Sequence, residues 1–219
     1  MNKAVRIHAY GGPEALSWDD VPTPAPRAQE VLIRQEAIGL NFIDIYYRTG
    51  LYKLPVLPSV LGMEAAGVVE AIGSDVTAFK PGDRVAYPTQ LGAYTRYRAI
   101  AADLIVRLPD SIETRTAAGM MLRGLTVQAL LRQVRVLEAG ETILVHAAAG
   151  GLGLMLCQWA AHLGATVIGV VSTEQKAELA QRHGAAHTLI GLEDLPQKVR
   201  RLTGGAMVPV VYDLSLIHI

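Results

Sequence analysis

Two rhythms of apolar and polar positions divide this chain. Through residue 108 the apolar residues fall in short alternating runs at 31–37, 66–72, 84–87 and 95–100, after an opening strand within residues 1–10. Gly11-Gly12, the series Pro22, Pro24 and Pro26, and Pro81-Gly82-Asp83 punctuate them. Evenly spaced half-buried strands with turn residues between them predict an antiparallel, barrel-like domain over residues 1–110. From residue 111 onward helical and strand patterns alternate: helix over 114–137, strand over 142–147, helix over 152–163, strand over 166–171, helix over 173–183, strand over 187–190, helix over 195–202 and strand over 210–213. That order predicts a doubly wound parallel sheet with right-handed crossovers over residues 111–213, left incomplete at its last strand. The fold class is therefore α/β plus β.

The stretch 140–158 carries the clearest chemistry. An apolar strand enters a glycine turn and leaves it as a helix. Ala148, Gly150 and Gly153 occupy the three small-residue positions of a G-x-G-x-x-G fingerprint, with Ala149, Gly151 and Leu152 between them. The first position is expected to make the tight turn, the second to let backbone approach a pyrophosphate, and the third to let helix pack against strand. The helix start directs free N–H groups at the phosphates. The competing reading is a glycine-rich turn in an ordinary α/β domain.

The end of the second strand bears on the cofactor. An NAD site places an acidic residue there, whereas an NADP site leaves the position neutral and gathers basic groups. Ser172, Thr173 and Lys176 can bind a 2′-phosphate, which favours NADPH, and Glu174 argues the other way. A plainer reading has Ser172 capping the following helix and Lys176 solvated on its face.

Composition narrows the alternatives. The formal net charge is +0, so there is no electrostatic footprint for nucleic acid or an anionic membrane. The single cysteine, Cys157, excludes both a disulfide framework and a cysteine-rich zinc site. No secretory leader pattern opens the chain, which makes a cytoplasmic location the expectation, and the apolar run at 143–157 is too interrupted to span a membrane. His146 is expected to be a satisfied core residue of its strand. Residues 214–219 (L-S-L-I-H-I) match the translation of a transposase adapter, CTG-TCT-CTT-ATA-CAC-ATC, and are expected to be a non-native tail.

With these pieces assembled, the chain resembles the zinc-free, zeta-crystallin-like quinone oxidoreductases of the medium-chain dehydrogenase/reductase superfamily. The resemblance runs over residues 1–213. It includes Gly11-Gly12-Pro13-Glu14, Gly39-Leu40-Asn41-Phe42-Ile43-Asp44, Gly50-Leu51-Tyr52, Gly62-Met63-Glu64-Ala65-Ala66-Gly67, Pro81-Gly82-Asp83-Arg84-Val85, Gly124-Leu125-Thr126-Val127 and the whole of 140–158. It implies a GroES-like barrel followed by a Rossmann domain. It also implies NADPH as cofactor, with hydride passing to a quinone in an interdomain cleft, and a homodimer when full-length.

Asn41 and Met63 stand where zinc-dependent relatives carry a cysteine and a histidine, so no metal is expected, and Glu64 is expected to order the barrel through hydrogen bonds. By resemblance Asn41, Tyr46 and Tyr52 line the catalytic cleft, where hydrogen-bond donors would stabilise charge on the acceptor oxygen. Tyr46 and Tyr52 could equally stack on a planar substrate. Thr126 resembles a residue at the nicotinamide end, or is a helix-interior threonine bonded to its own turn. Two departures stand out. Relatives often place a tyrosine within Ile190-Gly191-Leu192, and they continue past Asp213, so this chain alone is expected to expose an apolar strand edge and to lack turnover. The alternative functions are reduction of α,β-unsaturated carbonyls and dinucleotide binding without catalysis.

Overall fold

Alternation of side chains across a pleated strand sets the architecture of the first half. The structure, a computed structural model, describes residues 1–213. The tail expected at 214–219 lies outside the described residues. Eight strands form the first half: β1 (Asn2–Ile7), β2 (Leu16–Val21), β3 (Glu30–Gly39), β4 (Ser59–Val60), β5 (Glu64–Ile72), β6 (Arg84–Tyr87), β7 (Tyr97–Ala101) and β8 (Val106–Arg107), with helix α1 (Phe42–Thr49) between β3 and β4. They make an antiparallel three-stranded sheet ordered β2-β1-β4 and an antiparallel five-stranded sheet ordered β7-β3-β5-β6-β8.

Val31 and Ile33 of β3 alternate inward and pack with Ala65, Val69, Val85 and Tyr87. The β3–β5 register slips at Leu32/Ile33 and at Gln35/Ala37. At the second slip β5 carries Gly67, where a Cβ would stand 2.2 Å from the Arg34 carbonyl oxygen, so only glycine admits the bulged strand.

Helix α2 (Thr114–Ala129) follows, then β9 (Thr142–Val145), α3 (Gly151–His162), β10 (Thr166–Val171), α4 (Glu174–Arg182), β11 (His187–Ile190), α5 (Leu195–Leu202) and β12 (Val210–Tyr212). The strands form a parallel sheet ordered β11-β10-β9-β12. From β9 the chain steps outward to β10 and β11, then returns to the other side of β9 as β12. The order therefore reverses between β9 and β12, and open α/β sheets bind ligands outside the carboxyl ends of such strands. Ile143 and Val145 of β9, Val167 of β10, and Leu156, Cys157 and Ala160 of α3 form the core beside it.

The chain divides into two compact units, Met1–Leu122 and Arg123 onward. This division falls inside α2, not at the expected boundary of 110/111. The early part of the helix, at Ala117 and Ala118, packs with Ala66, Ala86 and Leu108, whereas Val127 belongs to the core around β9. The helix expected over 114–137 ends sooner, at Ala129, and passes into a π turn over Leu130–Val134. Apolar periodicity alone does not register that change of pitch. No helix among the described residues is long and apolar enough to cross a membrane.

Candidate functional site

In the second unit, β9 ends at Val145 and the chain turns over residues 146–149 before α3. Ala147 takes the left-handed conformation there, with φ 50°. Its carbonyl accepts the Gly150 N–H at 2.8 Å, and Gly150 is the N-cap of α3. This corrects the expected division of labour in the glycine fingerprint. The tight turn falls on Ala147, not on Ala148. Ala148 is fully buried, donates its N–H to the Val170 carbonyl at 3.1 Å, and lies against Gly169, where a Cβ would come within 2.8 Å of the Ala148 Cβ. Gly153 does what was expected of it: a Cβ there would come within 2.3 Å of the Ala147 carbonyl oxygen, so α3 can approach the strand only at glycine.

Beside this turn lies a cavity of about 430 Å³, walled by His146, Ala147, Ala149 and Gly150 on one side, Val170, Val171, Ser172 and Lys176 along the end of β10 and the start of α4, and Gly191 and Leu192 after β11. Lys176 Nζ donates to Ser172 Oγ at 2.9 Å, which fixes a cation and a hydroxyl together at the cavity rim. Thr173 is otherwise engaged. It is the N-cap of α4, its Oγ1 accepts the Lys176 N–H at 3.3 Å, and it does not line the cavity. The capping role weighed for Ser172 thus belongs to Thr173, which leaves Ser172 for a ligand. Glu174 is likewise absent from the cavity lining.

Other expected cofactor residues lie behind or away from this wall. Leu152 and Gly153 are in the first turn of α3, Gly153 buried, and Gly151 packs under the Arg123 guanidinium, where a Cβ would meet Cζ at 2.9 Å. Thr126 is exposed on α2 and does not line the cavity. His146, expected in the core of its strand, instead sits in the turn, half-buried, and lines the cavity. Its position one residue past the last apolar β9 residue was the available signal. The apolar run 142–147 concealed it.

In the first unit, the candidate residues gather at α1. Asn41 is its N-cap, and the helix ends at Gly50, whose φ of 79° gives the left-handed cap. The Asn41 N–H donates to Asp44 Oδ2 at 2.8 Å, and its side-chain Nδ2 donates to Glu64 Oε1 at 2.7 Å. Glu64 is fully buried, and its Oε2 accepts the Leu122 N–H at 2.7 Å. Asp44 is buried too and accepts from the Tyr94 hydroxyl at 2.8 Å. Burial pushes the Asp44 carboxyl above the usual carboxylate range, and its Oδ1 has no hydrogen-bond partner among the described residues. Burial, together with the Asp44 charge, raises the Tyr94 phenol as well.

One turn along α1, Tyr46 meets Tyr52 edge-on at 5.4 Å between ring centroids, and Phe42 meets Tyr46 at 6.3 Å. Phe42, Leu51 and Tyr52 are exposed, so α1 and the turn after it present an aromatic, apolar face. Such a face suits a flat ring, and tyrosine hydroxyls supply donors at its edge. Among the described residues no group of His, Cys, Asp and Glu has the arrangement to hold a metal ion.

Two family models match the chain: the alcohol dehydrogenase GroES-like domain over residues 27–110, and the zinc-binding dehydrogenase domain over residues 151–218. The quinone oxidoreductase of Pseudomonas aeruginosa is 54% identical over 215 residues, spanning 97% of this chain and 66% of that protein. The 2-haloacrylate reductase of a Burkholderia species is 44% identical, again over 97% of this chain and 66% of its own length. Among solved structures, Escherichia coli quinone oxidoreductase complexed with NADPH superposes with a TM-score of 0.92 at 46% identity, covering 96% of this chain and 65% of that one.

Proposed function

Because the chain belongs to the quinone oxidoreductase family of the medium-chain dehydrogenase/reductase superfamily, we propose that the protein reduces quinones with NADPH and without zinc. The observation that carries this reading is the cavity at the end of β10, where Lys176 is held by Ser172 beside the start of α3. That donor set fits the adenosine half of the cofactor: Lys176 and Ser172 for the 2′-phosphate, Val170, Val171 and Leu192 for the adenine, and the backbone at Ala149 and Gly150 for the pyrophosphate. The absence of an acidic side chain from this rim favours NADPH over NADH.

NADPH supplies a hydride equivalent, so that NADPH, a proton and a quinone give NADP⁺ and a hydroquinone. Tyr46 and Tyr52 offer a ring face and hydroxyl donors to the planar acceptor. Asn41 offers a further amide donor to the oxygen on which charge gathers. Zinc independence rests on the donor set: Asn41 commits its side-chain nitrogen to Glu64, and Met63 is a weak, buried thioether. Thr126 at the nicotinamide end, a homodimer and a cytoplasmic location belong to the same proposal and rest on the family.

A second reading, reduction of α,β-unsaturated carbonyl compounds, is favoured by the likeness to the 2-haloacrylate reductase. The same hydride donor and oxygen-stabilising groups would serve it. The test is the oxidation of NADPH by the full-length protein against benzoquinones, naphthoquinones and 2-haloacrylates, with NADH in parallel. Turnover of quinones with NADPH preferred is the expected result. Turnover confined to the acrylates would replace it with the second reading, and binding of NADPH with no acceptor reduced would leave a dinucleotide-binding protein.

A further inference from the structure

Helix α1 carries two stripes. Phe42 and Tyr46, four positions apart, meet on its outer side, where Phe42 is exposed. Asp44 and Tyr47, three apart, share the inner side: Asp44 is only 3% exposed, and Tyr47 packs on the cluster of Ile7, Leu54 and Leu61. The last turn is tied to the rest of the barrel by the Gly11 N–H, which donates to the Arg48 carbonyl at 3.1 Å. In the first turn, over residues 42–45, one polar bond reaches another element among the described residues. It is the bond that the Tyr94 hydroxyl donates to Asp44 Oδ2 at 2.8 Å.

Tyr94, between β6 and β7, is itself held on three sides. Its N–H donates to the Leu61 carbonyl at 2.7 Å, and its carbonyl accepts the Val5 N–H at 2.8 Å. Its ring lies over Gly62, whose φ is 92° and where a Cβ would stand 2.2 Å from the ring Cδ1. Asp44 has fewer ties. Its Oδ2 takes the Asn41 N–H as well as the Tyr94 hydroxyl, and its Oδ1 has no partner among the described residues. Without the Tyr94 hydroxyl this buried carboxyl would keep one bond, to an N–H that moves with the helix.

We infer that Tyr94 is a positioning residue which, through Asp44, sets how α1 is turned about its axis, and so the pose of the Tyr46–Tyr52 face. Its consequence for turnover rests on the reading of that face as the seat of the acceptor. The apolar contacts of Tyr47 are non-directional and tolerate a roll of the helix, whereas a hydrogen bond weakens steeply off its line. The tie needs no charge on Asp44, because a carboxyl with its proton on Oδ1 still accepts at Oδ2.

The experiment is hydrogen exchange of the full-length protein, read by mass spectrometry, with quinone kinetics alongside. The unmodified protein is compared with Tyr94→Phe, Asp44→Ala and Asp44→Asn. Tyr94→Phe keeps the ring over Gly62 and deletes only the hydroxyl. Residues 42–49 are expected to exchange about tenfold faster in it and in Asp44→Ala, while β5 and β9 keep their rates. Asp44→Asn offers an amide oxygen to the same two donors, so its α1 should exchange within about twofold of the unmodified protein. In Tyr94→Phe the KM for quinone should rise roughly three- to tenfold, with kcat and the NADPH Kd each changed by less than about twofold. Combining Tyr94→Phe with Asp44→Ala should raise KM no further than Asp44→Ala alone, since both remove one bond.

Unchanged exchange over residues 42–49 in Tyr94→Phe overturns the inference. So does an acceleration shared by β5 and β9, which is a general loss of stability, and so does an α1 that opens with KM unmoved. Should Tyr94→Phe fail to fold, the contrast between Asp44→Ala and Asp44→Asn decides, and equally fast exchange of α1 in both overturns the inference. Lack of quinone turnover in the unmodified protein counts against the proposed function alone, and the exchange over residues 42–49 then decides whether Tyr94 holds α1.

Discussion

Gly153 lies so close to Ala147 that a Cβ on the glycine would stand 2.3 Å from the alanine's carbonyl oxygen. The same Cβ would meet the Ala148 Cα at 2.8 Å, and neither neighbour is a flexible side-chain end that could move aside. Gly153→Ala is therefore expected to push α3 off the strand and to cost about 1–3 kcal/mol of stability, measurable by urea unfolding. NADPH affinity should fall with it, since α3 carries the N–H groups at the phosphate end. A variant as stable as the parent would mean that the helix has slack the packing does not suggest.

The Lys176–Ser172 pair separates NADPH from NADH. Lys176→Ala removes the cation at the cavity rim and is expected to weaken NADPH by about tenfold, given that this lysine is exposed and solvent screens it. NADH, which has no 2′-phosphate, should bind nearly as before. Calorimetric titration of both nucleotides distinguishes this from a general loss, because equal weakening of the two would remove Lys176 from any role in selection.

Arg135 and Glu141 brace the entry to β9. Arg135 Nη1 donates to Glu141 Oε2 at 2.9 Å, and the Glu138 N–H donates to the same oxygen at 2.9 Å. The bond to Arg135, aided by that backbone N–H, holds the Glu141 carboxyl down at about 2. A carboxyl depressed in the folded state stabilises it above the unfolded value of about 4.3, and that contribution is lost as pH falls toward 2. The difference in Tm between the parent and Glu141→Gln should thus be largest above pH 5 and close as the pH approaches 2. A difference constant across that range would show that the ion pair contributes nothing.

Cys157 is fully buried on α3, and burial pushes its thiol up to about 11. At pH 8 only about one thiol in a thousand would then be thiolate, apart from its lack of access. Alkylation by iodoacetamide is expected to be negligible in the folded protein and rapid in urea. By linkage, the raised thiol stabilises the fold below the unfolded value of about 8.5, and this is lost as pH rises through 11. Rapid modification without denaturant would mean that α3 opens locally.

Much of the second unit was legible because its signals are local. A strand buried on both faces is a short apolar run, a crossover helix is an amphipathic one, and glycine marks a close approach. The expected strands at 166–171 and 187–190 and the helix at 195–202 coincide with β10, β11 and α5 to the residue. The boundaries that moved did so for local reasons invisible to periodicity. At residues 130–134 the helix changes pitch, and at His146 the chain leaves the strand although the side-chain pattern continues.

The sequence by itself determined the order of strands and helices, the small residues of the nucleotide turn, the neutral end of β10 and the residues that tie the chain to its family, since each is a property of neighbouring positions. Only the tertiary structure decided which of two adjacent hydroxyls faces the cavity. Thr173 has a helix N–H to cap and Ser172 does not. It decided, too, that Ala147 and not Ala148 makes the turn, because Ala148 is pinned between Val170 and Gly169 of β10. It brought Glu64 to Asn41 and to Leu122, partners 23 and 58 positions away in the chain. A buried carboxylate must find its donors wherever the fold supplies them, and no pattern along the chain records which donors those are.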